Sequence, residues 1–516
     1  MKKKWLFILL FVVSIVLAAC SGGESSSAPK ENGGSGSDIS GKTFTYATTT
    51  DAVGLSPIMT NDSPSANVIE QVYETLFQRN SETLEIEPKL AESYENPDEN
   101  TWIFKLKEGV QFHDGTPFNA EAVKYTFDKL RDPATGAPRA SLLESVEEIT
   151  VEDEYTVKIT TKYPYGAFLA ALSHTNSAIV SPSADQKQDL MKEPVGTGPF
   201  KFVSWTSGDQ LELEANEEYW NGAPDLKKVV FKVVPEVSTA ISMLQTGEVQ
   251  FIDNLPTEQI NRLESMDNID IQKIDGSPVY YFAFNHLKEM NQDPEFREAV
   301  ASAIDRDAFV SKLNGLGVRS DSVVGPKVFG YDKSAENAGT PYDLDHAKEL
   351  VEKNGYGDQP LKLLTANRAN TTLMAEIVQA QLVEAGFKVE IESMEWATYL
   401  DSARAGEYDL TFLSWSNVTG DGSELFYPNF HSDNVGSSNR AQYSNAAFDD
   451  LVMQSRTTVD QEERAKLLDQ ANKLMLEENA VVVMYHGVVT SALDNTYTGL
   501  NLDSTGKWTL KNVTGK

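Results

Sequence analysis

Residues 361–391 read LKLLTANRANTTLMAEIVQAQLVEAGFKVEI, and the alternation within them indicates the fold class. The apolar run at 361–365 is typical of a buried strand, residues 372–385 have the pattern of a helix, and 387–391 predict a second strand. Gly386 stands where the helix is expected to end. Strand, helix and strand in this order predict an α/β fold.

The alternation continues on both sides of this stretch. Asp343 predicts the N-cap of a helix that ends at Asn354 and Gly355, and Asp460 with Glu463 forms a capping box that opens a long helix. Further helices are predicted at 119–128, 235–246, 294–304, 306–313 and 396–404. Further strands are predicted at 42–48, 101–106, 151–161, 198–205, 210–214, 269–274, 279–285, 408–414 and 480–485.

The N-terminal residues predict export. A basic start precedes an apolar run at 5–19, which is shorter than the roughly 20 residues needed to cross a bilayer. Leu-Ala-Ala-Cys at 17–20 resembles a bacterial lipobox, and Cys20 is the only cysteine of the chain. We therefore predict a signal peptide at 1–19, lipidation of Cys20 and a flexible tether rich in Ser and Gly at 20–40. An ordinary signal peptide that happens to contain a cysteine is the alternative.

Composition supports an extracytoplasmic protein of several domains. The 516 residues carry 44 basic and 77 acidic side chains, which give a formal net charge of −33, and 40% of the residues are hydrophobic. So acidic a surface repels phosphate backbones, which disfavours nucleic acid as a partner. The expected location is the outer face of a cell membrane of the Gram-positive type, held by the lipid anchor, and the expected state is a monomer.

Signatures of catalysis and of metal binding are missing from the sequence. None of the six histidines is spaced four residues from another, no cysteine pair exists, and neither a phosphate-binding GxxxxGK loop nor a GxSxG motif occurs. A pair of acidic residues facing each other as in a glycosidase stays open among 77 of them. The pattern favours a binding protein that needs no cofactor and holds its ligand between domains.

Several segments, spread in order over nearly the whole mature chain, resemble one family of proteins. They are EIEPKLAESY at 85–94, TWIFKLKEGVQFHDGTPFNAEAV at 101–123, VGTGPFKFVSW at 195–205, NEEYW at 216–220, LQTGEV at 244–249 and FREAVASAID at 296–305. These segments are similar to those of the extracytoplasmic solute-binding lipoproteins of family 5, which serve ABC importers of dipeptides, oligopeptides, nickel and glutathione. Within the family the resemblance is nearest to the glutathione-binding branch.

The resemblance implies a three-lobed, periplasmic-binding-protein-like α/β fold of the class II, cluster C type. The lobes would be lobe I at 41–73, 173–284 and 487–516, an inserted lobe II at 74–172, and lobe III at 285–486. Two chain crossings, near 282–285 and 484–487, would form a hinge. Gly487 could absorb the backbone rotation that closure demands.

The resemblance also places the ligand between lobes I and III. In peptide binders of the family, an aspartate three residues after a tryptophan holds the α-ammonium of the ligand; here the tryptophan is Trp415, but the third residue is Val418. The acid comes at Asp421, after Thr419 and Gly420, and this Thr-Gly-acid order resembles the glutathione-binding branch. Asp421 would then either hold an ammonium or brace its own loop.

Five further residues are candidates for the ligand site. Trp396 matches a pocket tryptophan of the family, or else serves as a core aromatic. Arg368 and Arg440 could each pair bidentately with a carboxylate, or form surface ion pairs. Tyr280 and Ser63 could supply a stacking ring and a hydrogen-bond donor from lobe I.

These features predict a non-enzymatic protein that captures a small peptide or a glutathione-like ligand for an ABC permease pair with ATPase subunits. The same scaffold could instead carry a nickel chelate, haem, a sugar oligomer or an opine. A secreted hydrolase, and a peptide-sensing receptor without a transporter, are the alternatives from other functional classes.

Overall fold

The computed structural model describes residues 42–80, 83, 85–367, 369–417 and 419–516, without the side chains of 257, 258, 369, 370 and 397. The chain divides into two compact units, Met1–Gly36 and Ser37–Lys516, and all described residues belong to the second. The predicted signal peptide, Cys20 and the tether lie outside the described residues, and so does Arg368. In the described ranges, no helix is both long enough and apolar enough to cross a membrane.

Helices and strands alternate along the described chain. The strands are β1 (Thr43–Thr48), β2 (Phe77–Arg79), β3 (Ile86–Pro88), β4 (Ala91–Asp98), β5 (Thr101–Leu106), β6 (Val146–Asp153), β7 (Thr156–Thr161), β8 (Phe200–Thr206), β9 (Gln210–Ala215), β10 (Lys228–Val233), β11 (Phe251–Asp253), β12 (Ile269–Phe284), β13 (Gly317–Val318), β14 (Pro360–Ala366), β15 (Lys388–Met394), β16 (Leu410–Trp415), β17 (Val481–Asp494), β18 (Tyr497–Thr498), β19 (Asn501–Leu502), β20 (Trp508–Thr509) and β21 (Thr514–Gly515). The α-helices are α1 (Ser63–Val72), α2 (Ala120–Arg131), α3 (Phe168–Leu172), α4 (Pro182–Asp185), α5 (Val237–Thr246), α6 (Thr257–Glu264), α7 (Glu289–Gln292), α8 (Pro294–Ala303), α9 (Arg306–Ser311), α10 (Leu344–Asn354), α11 (Ala369–Glu384), α12 (Trp396–Ala405), α13 (Ser423–Phe430), α14 (Ala446–Thr457) and α15 (Gln461–Glu477).

Most strands join one eleven-stranded mixed sheet. Its order is β15-β14-β16-β12-β17-β11-β1-β10-β9-β8, with β13 paired to β17. Within it β14 runs parallel to both β15 and β16, and α11 and α12 connect these strands. The predicted strand-helix-strand unit at 361–391 is therefore confirmed, and with it the α/β fold class.

A separate four-stranded antiparallel sheet has the order β4-β5-β7-β6 and lies wholly between residues 91 and 161. Its buried face carries Trp102, Phe104 and Ile159, which belong to one hydrophobic core with β1 and α1. This sheet falls inside the predicted inserted lobe at 74–172. The lobe boundaries themselves stay a prediction.

The long strands β12 and β17 depart from the sequence prediction. Two strands were expected at 269–274 and 279–285, and a last strand at 480–485, yet β12 runs unbroken to Phe284 and β17 continues to Asp494. A register shift between Asp275 and Val279 accommodates the intervening Gly-Ser-Pro. Such residues are typical of turns, but a bulge keeps both strands paired around them.

The predicted strand at 151–161 is also wrong, because this stretch is a hairpin. β6 begins earlier, at Val146, and β7 starts at Thr156 after a tight turn. The Asp153 carboxylate accepts a hydrogen bond from the Tyr155 backbone N–H at 2.9 Å and from the Thr156 hydroxyl at 2.9 Å. A short Asp-based turn without glycine gave no clear signal in the sequence.

Helix ends follow the predicted capping residues. Asn119, Asp343 and Asp460 each accept a hydrogen bond from a backbone N–H in the first turn, at 3.1, 3.0 and 2.9 Å. Gly247 and Gly355 end α5 and α10 with φ of 77° and 71°. These left-handed positions suit glycine, which lacks a Cβ.

The middle of the large sheet is covered on both faces. Alternate residues of β12 enter different cores: Phe282 and Phe284 pack on one face, while Val279, Tyr281 and Ala283 pack on the other. Strands buried on both faces have apolar side chains in both directions. This explains the continuous apolar runs of β12 and β17.

Candidate ligand-binding site

A cavity of about 470 Å³ opens beside the carboxyl ends of β14 and β16. Thr365 and Ser414 line it from these two strand ends, Thr371 and Met374 line it from the first turns of α11, and Arg440 closes one side. We call it the Arg440 cavity. Parallel strands present their carboxyl ends at the same edge of a sheet, which is the usual place for ligands in α/β folds.

Aromatic side chains form most of the apolar lining of the Arg440 cavity. Tyr280 and Tyr485 lie opposite each other on β12 and β17, and their rings stack at 4.4 Å between centroids with an interplanar angle of 9°. Trp396 and Tyr399, both on α12, stack at 5.5 Å and 24°. Burial raises the pKa of Tyr280, so its hydroxyl is a neutral donor at physiological pH. Flat rings of this kind supply apolar contact and stacking to a ligand.

Arg440 brings a positive charge to this apolar cavity. Its side chain is half-buried, and its Nε is buried without a hydrogen-bond partner. Among the residues that the structure describes, no carboxylate lies within 4 Å of the guanidinium. The Arg440 backbone carbonyl is held by the Tyr408 hydroxyl, which fixes the main chain from which the side chain extends. Because buried polar groups in proteins are nearly always paired, the guanidinium is available to an anionic ligand.

Asp421 lies in a different environment. It is 2% exposed, and Arg464 Nη2 lies 2.9 Å from one of its carboxylate oxygens and 3.0 Å from the other. Ser423 donates to the same carboxylate from its hydroxyl at 2.7 Å and from its backbone N–H at 3.0 Å. Burial alone would raise the pKa of Asp421, but Arg464, Ser423 and Arg79 together hold it below its usual range. Within the described chain, the carboxylate is therefore already neutralised.

The residues before Asp421 belong to the same braced loop. Arg79 donates to the Thr419 carbonyl from Nε at 3.1 Å and from Nη2 at 2.8 Å. Gly420 has a φ of 64°, and a Cβ at this position would come within 2.8 Å of the Arg79 Nε. Trp415 is half-buried at the end of β16 and pairs with Val279. We call residues 415–417 and 419–421 the Asp421 loop.

The structure therefore separates the candidates into groups. Tyr280, Trp396 and Arg440 surround one cavity, whereas Asp421 lines another, of about 640 Å³, together with Arg79, Arg464 and Phe329. Ser63 begins α1 after the N-cap Asp62 and lines a third cavity, of about 230 Å³, near Arg139 and His174.

Sequence reasoning missed Tyr485, Tyr399 and Met374, which line the Arg440 cavity. Tyr485 was assigned to an apolar strand, and its position beside Tyr280 depends on strand pairing over about 200 residues of separation. Tyr399 lies three residues after Trp396, so the spacing of one helical turn was the signal available.

Comparisons with known proteins agree with this architecture. The family model of the bacterial extracellular solute-binding proteins, family 5 Middle, matches residues 85–437. Heme-binding protein A of Haemophilus influenzae is 30% identical over 520 residues, covering 93% of each chain. The glutathione-binding protein GsiB of Escherichia coli strain K12 is 32% identical over 464 residues, covering 86% of this chain and 89% of its own.

Solved structures give the same result. HbpA2 from Haemophilus parasuis has a TM-score of 0.86 at 25% identity and covers 92% of this chain and 100% of its own. The periplasmic binding protein DppA from Helicobacter pylori, in complex with the peptide STSA, has a TM-score of 0.73 at 27% identity and covers 92% and 98%. The predicted periplasmic-binding-protein-like fold is confirmed. The chain belongs to the bacterial extracellular solute-binding proteins of family 5.

Proposed function

We propose that this chain is the substrate-binding component of an ABC importer and that the Arg440 cavity receives a small peptide or peptide-like molecule by its carboxylate. The observation that carries the proposal is the guanidinium of Arg440, which lines the cavity and has a buried Nε without a partner. Relatives named for glutathione and for a bound peptide support this class of ligand. Glutathione has two free carboxylates and an ammonium, so it meets the requirement.

The lining of the Arg440 cavity offers a ligand both a positive charge and apolar contacts. A carboxylate paired with Arg440 would satisfy the orphan donor, and the interaction would be stronger in a partly desolvated cavity than in water. The stacked rings of Tyr280 and Tyr485 would cover the apolar part of the ligand. The Ser414 hydroxyl could meet its amide groups, whereas the Thr365 and Thr371 hydroxyls already donate to the Thr371 and Ala366 carbonyls.

Closure of the cavity around the ligand is part of the proposal. The predicted hinge segments lie at the end of β12 (282–285) and within β17 (484–487), and these strands run side by side through the large sheet. Gly487 pairs with Gly317 of β13 beside the stacked tyrosines. Ligand that binds across the lobes would favour the closed form by the difference between its affinities for the two forms.

We also propose that the protein is anchored to the membrane and delivers its ligand to a transporter. Cys20 would be lipidated, residues 20–40 would act as the tether, and the monomer would deliver its ligand to a permease pair driven by ATPase subunits. Cys20→Ser would release the protein from the membrane fraction of expressing cells into the medium. Equal retention of Cys20→Ser and wild type in the membrane fraction would contradict the anchor.

A thermal-shift and calorimetry screen tests the ligand class. The panel contains glutathione, di- and tripeptides, their C-terminal amides, haem and a nickel–histidine complex. Because a bound ligand stabilises the folded state by mass action, the best peptide should raise the melting temperature, and its amide should raise it much less. Equal binding of the amide and the free acid would mean that Arg440 does not pair with a ligand carboxylate. Cleavage of the peptides would favour a hydrolase.

A further inference from the structure

A second cavity, of about 440 Å³, concentrates positive charge in this acidic protein. Lys89, Lys107, Lys507 and Lys511 line it, and all four side chains are half-buried. We call it the lysine cavity. It shares no lining residue with the Arg440 cavity. Such a cluster is unexpected in a chain whose acidic side chains outnumber its basic ones by 77 to 44.

A buried carboxylate fixes the aromatic wall of the lysine cavity. Glu74 is 1% exposed and accepts hydrogen bonds from the Tyr219 hydroxyl at 2.6 Å, the Trp220 Nε1 at 2.8 Å and the Thr197 hydroxyl at 2.8 Å. The rings of Tyr219 and Trp220 lie 5.6 Å apart between centroids. Glu74 therefore fixes the polar ends of both rings, which we call the aromatic wall of the cavity.

This wall orients two of the lysines. The Lys107 Nζ lies 5.4 Å from the centre of the Trp220 ring, and the Lys511 Nζ lies 5.9 Å from that of Tyr219. Both distances fall in the range of cation–π contacts. No carboxylate of the described residues lies within 4 Å of either ammonium. Two ammonium groups therefore lie over neighbouring rings of this wall, and neither is paired with a carboxylate of the described residues.

Two carboxylates, Asp503 and Glu70, also line the lysine cavity. Asp503 accepts hydrogen bonds from the Thr505 backbone at 2.8 Å and hydroxyl at 2.7 Å, which close its own turn. Glu70 lies 3.5 Å from the Lys507 ammonium and also accepts from the Thr175 hydroxyl. Burial would raise the pKa of Glu70, but Lys507 and Lys89 outweigh it and hold that pKa below its usual range. Lys507 and Lys89 therefore lie within 4 Å of a carboxylate, Glu70 and Glu74 respectively. The four lysines still outnumber Glu70, Glu74 and Asp503, which leaves a small excess of positive charge at Lys107 and Lys511.

We propose that the lysine cavity is a second binding site, for a small polyanion with two or more adjacent phosphate groups. Ammonium groups are compact point charges suited to phosphate oxygens, whereas planar carboxylates are matched best by arginine forks. Lys107 and Lys511, which have no carboxylate of the described residues within 4 Å, can neutralise adjacent negative charges at close range. The surrounding acidic surface excludes long anionic polymers by repulsion, which leaves a small soluble molecule as the ligand.

Inorganic pyrophosphate is the probe that tests this site. Calorimetry with the full-length protein at about 0.1 M salt should detect pyrophosphate binding that is tighter than that of orthophosphate or citrate. The double variant Lys107→Gln/Lys511→Gln should weaken it at least about tenfold. The matched control, Lys192→Gln/Lys466→Gln, removes two lysines that are 76% and 65% exposed and should bind as wild type does.

Several results would overturn the proposal. They are the absence of pyrophosphate binding to the wild type, equal losses in the test and control variants, and an affinity for citrate equal to that for pyrophosphate. The melting temperature of each variant without ligand separates a folding defect from lost binding. Peptide binding to the Arg440 cavity is measured on the same samples. A failure of the proposed pyrophosphate site can then be distinguished from a failure of the proposed peptide site.

Discussion

Arg464 is buried and Arg440 is half-buried, and of the two only Arg464 pairs with a carboxylate of the described residues. Arg464 is 1% exposed and pairs with both carboxylate oxygens of Asp421, and its Nε donates to the Ser455 carbonyl at 2.9 Å. Arg440 lines an apolar cavity, and its Nε is buried without a hydrogen-bond partner. A buried charge with all of its partners stabilises the fold, whereas the unpaired Nε of Arg440 is the basis of the proposed ligand site.

The contacts of Asp421 bear on which of its two expected roles it has. The family resemblance offered two readings of this carboxylate, an ammonium ligand or a loop brace. Its contacts with Arg464 and Ser423 favour the brace, because they occupy both oxygens. An ammonium at Asp421 would have to share oxygens that already accept charge-assisted hydrogen bonds from Arg464.

The largest effect is expected from Arg464→Met. Removing the guanidinium leaves the buried carboxylate of Asp421 unpaired, which should lower the free energy of unfolding by about 3–5 kcal/mol. Urea denaturation followed by circular dichroism measures this loss. Arg404→Met is the control, because Arg404 is 47% exposed and its pair with Asp401 should contribute at most about 1 kcal/mol. Equal losses in both variants would mean that the buried Arg464–Asp421 pair stabilises the fold no more than the exposed Arg404–Asp401 pair.

A buried histidine, His113, should make the stability of the protein depend on pH. The His113 Nε2 lies 2.9 Å from the Gly198 carbonyl, while its Nδ1 is buried without a partner. Burial lowers the pKa of His113 to about 4. The unfolded chain takes up this proton near pH 6.5, so stability should fall as pH drops from about 6.5 to 4, by about 3 kcal/mol for this ring. Denaturation at several pH values should show a shallower fall for His113→Gln.

His346→Gln is the control for that experiment. The His346 side chain is 40% exposed beside Glu298, so replacing it removes no buried ring and measures the effect of the His-to-Gln substitution itself. An identical slope in wild type and His113→Gln between pH 6.5 and 4 would mean that the folded protein admits the proton at His113.

Arg440→Gln should act on binding rather than on folding. Losing a charge-assisted pair should weaken the affinity for the best carboxylate ligand about tenfold to a hundredfold, while the melting temperature without ligand stays close to the wild-type value. Calorimetry with the free acid and its amide measures the difference. Retained affinity, or a large loss of stability without ligand, would place Arg440 with Arg464 among the residues that hold the fold.

The parts of the fold that were predictable from sequence depend on neighbouring residues. The unit β14-α11-β15 and the caps at Asp343, Gly355 and Asp460 follow from patterns within one element or one turn. The continuity of β12 was not predictable, because a bulge stabilised by a strand about 200 residues away carries Gly-Ser-Pro through the sheet. Local turn signals were overridden by pairing.

The candidate site shows the same limit. The resemblance nominated Tyr280, Trp396 and Arg440, and the structure places these three around one cavity, although their contact with a ligand stays a prediction. The partner of Asp421 was not predictable. Arg464 lies 43 residues further along the chain on α15, and no local pattern links the two charges.

The smallest effect concerns Gly420 in the Asp421 loop. Gly420 and Gly208 have φ of 64° and 78°, so alanine at either position should cost about 1 kcal/mol in backbone strain. At Gly420 the new Cβ would also lie 2.8 Å from the Arg79 Nε and displace the hydrogen bonds to Thr419, whereas at Gly208 it meets no described atom within 4 Å. Gly420→Ala should therefore be less stable than Gly208→Ala by about 1 kcal/mol or more, in urea denaturation. Because the loop shares no residue with the Arg440 cavity, ligand affinity should be unchanged in both variants. A loss of affinity in Gly420→Ala alone would make the Asp421 loop part of the ligand site.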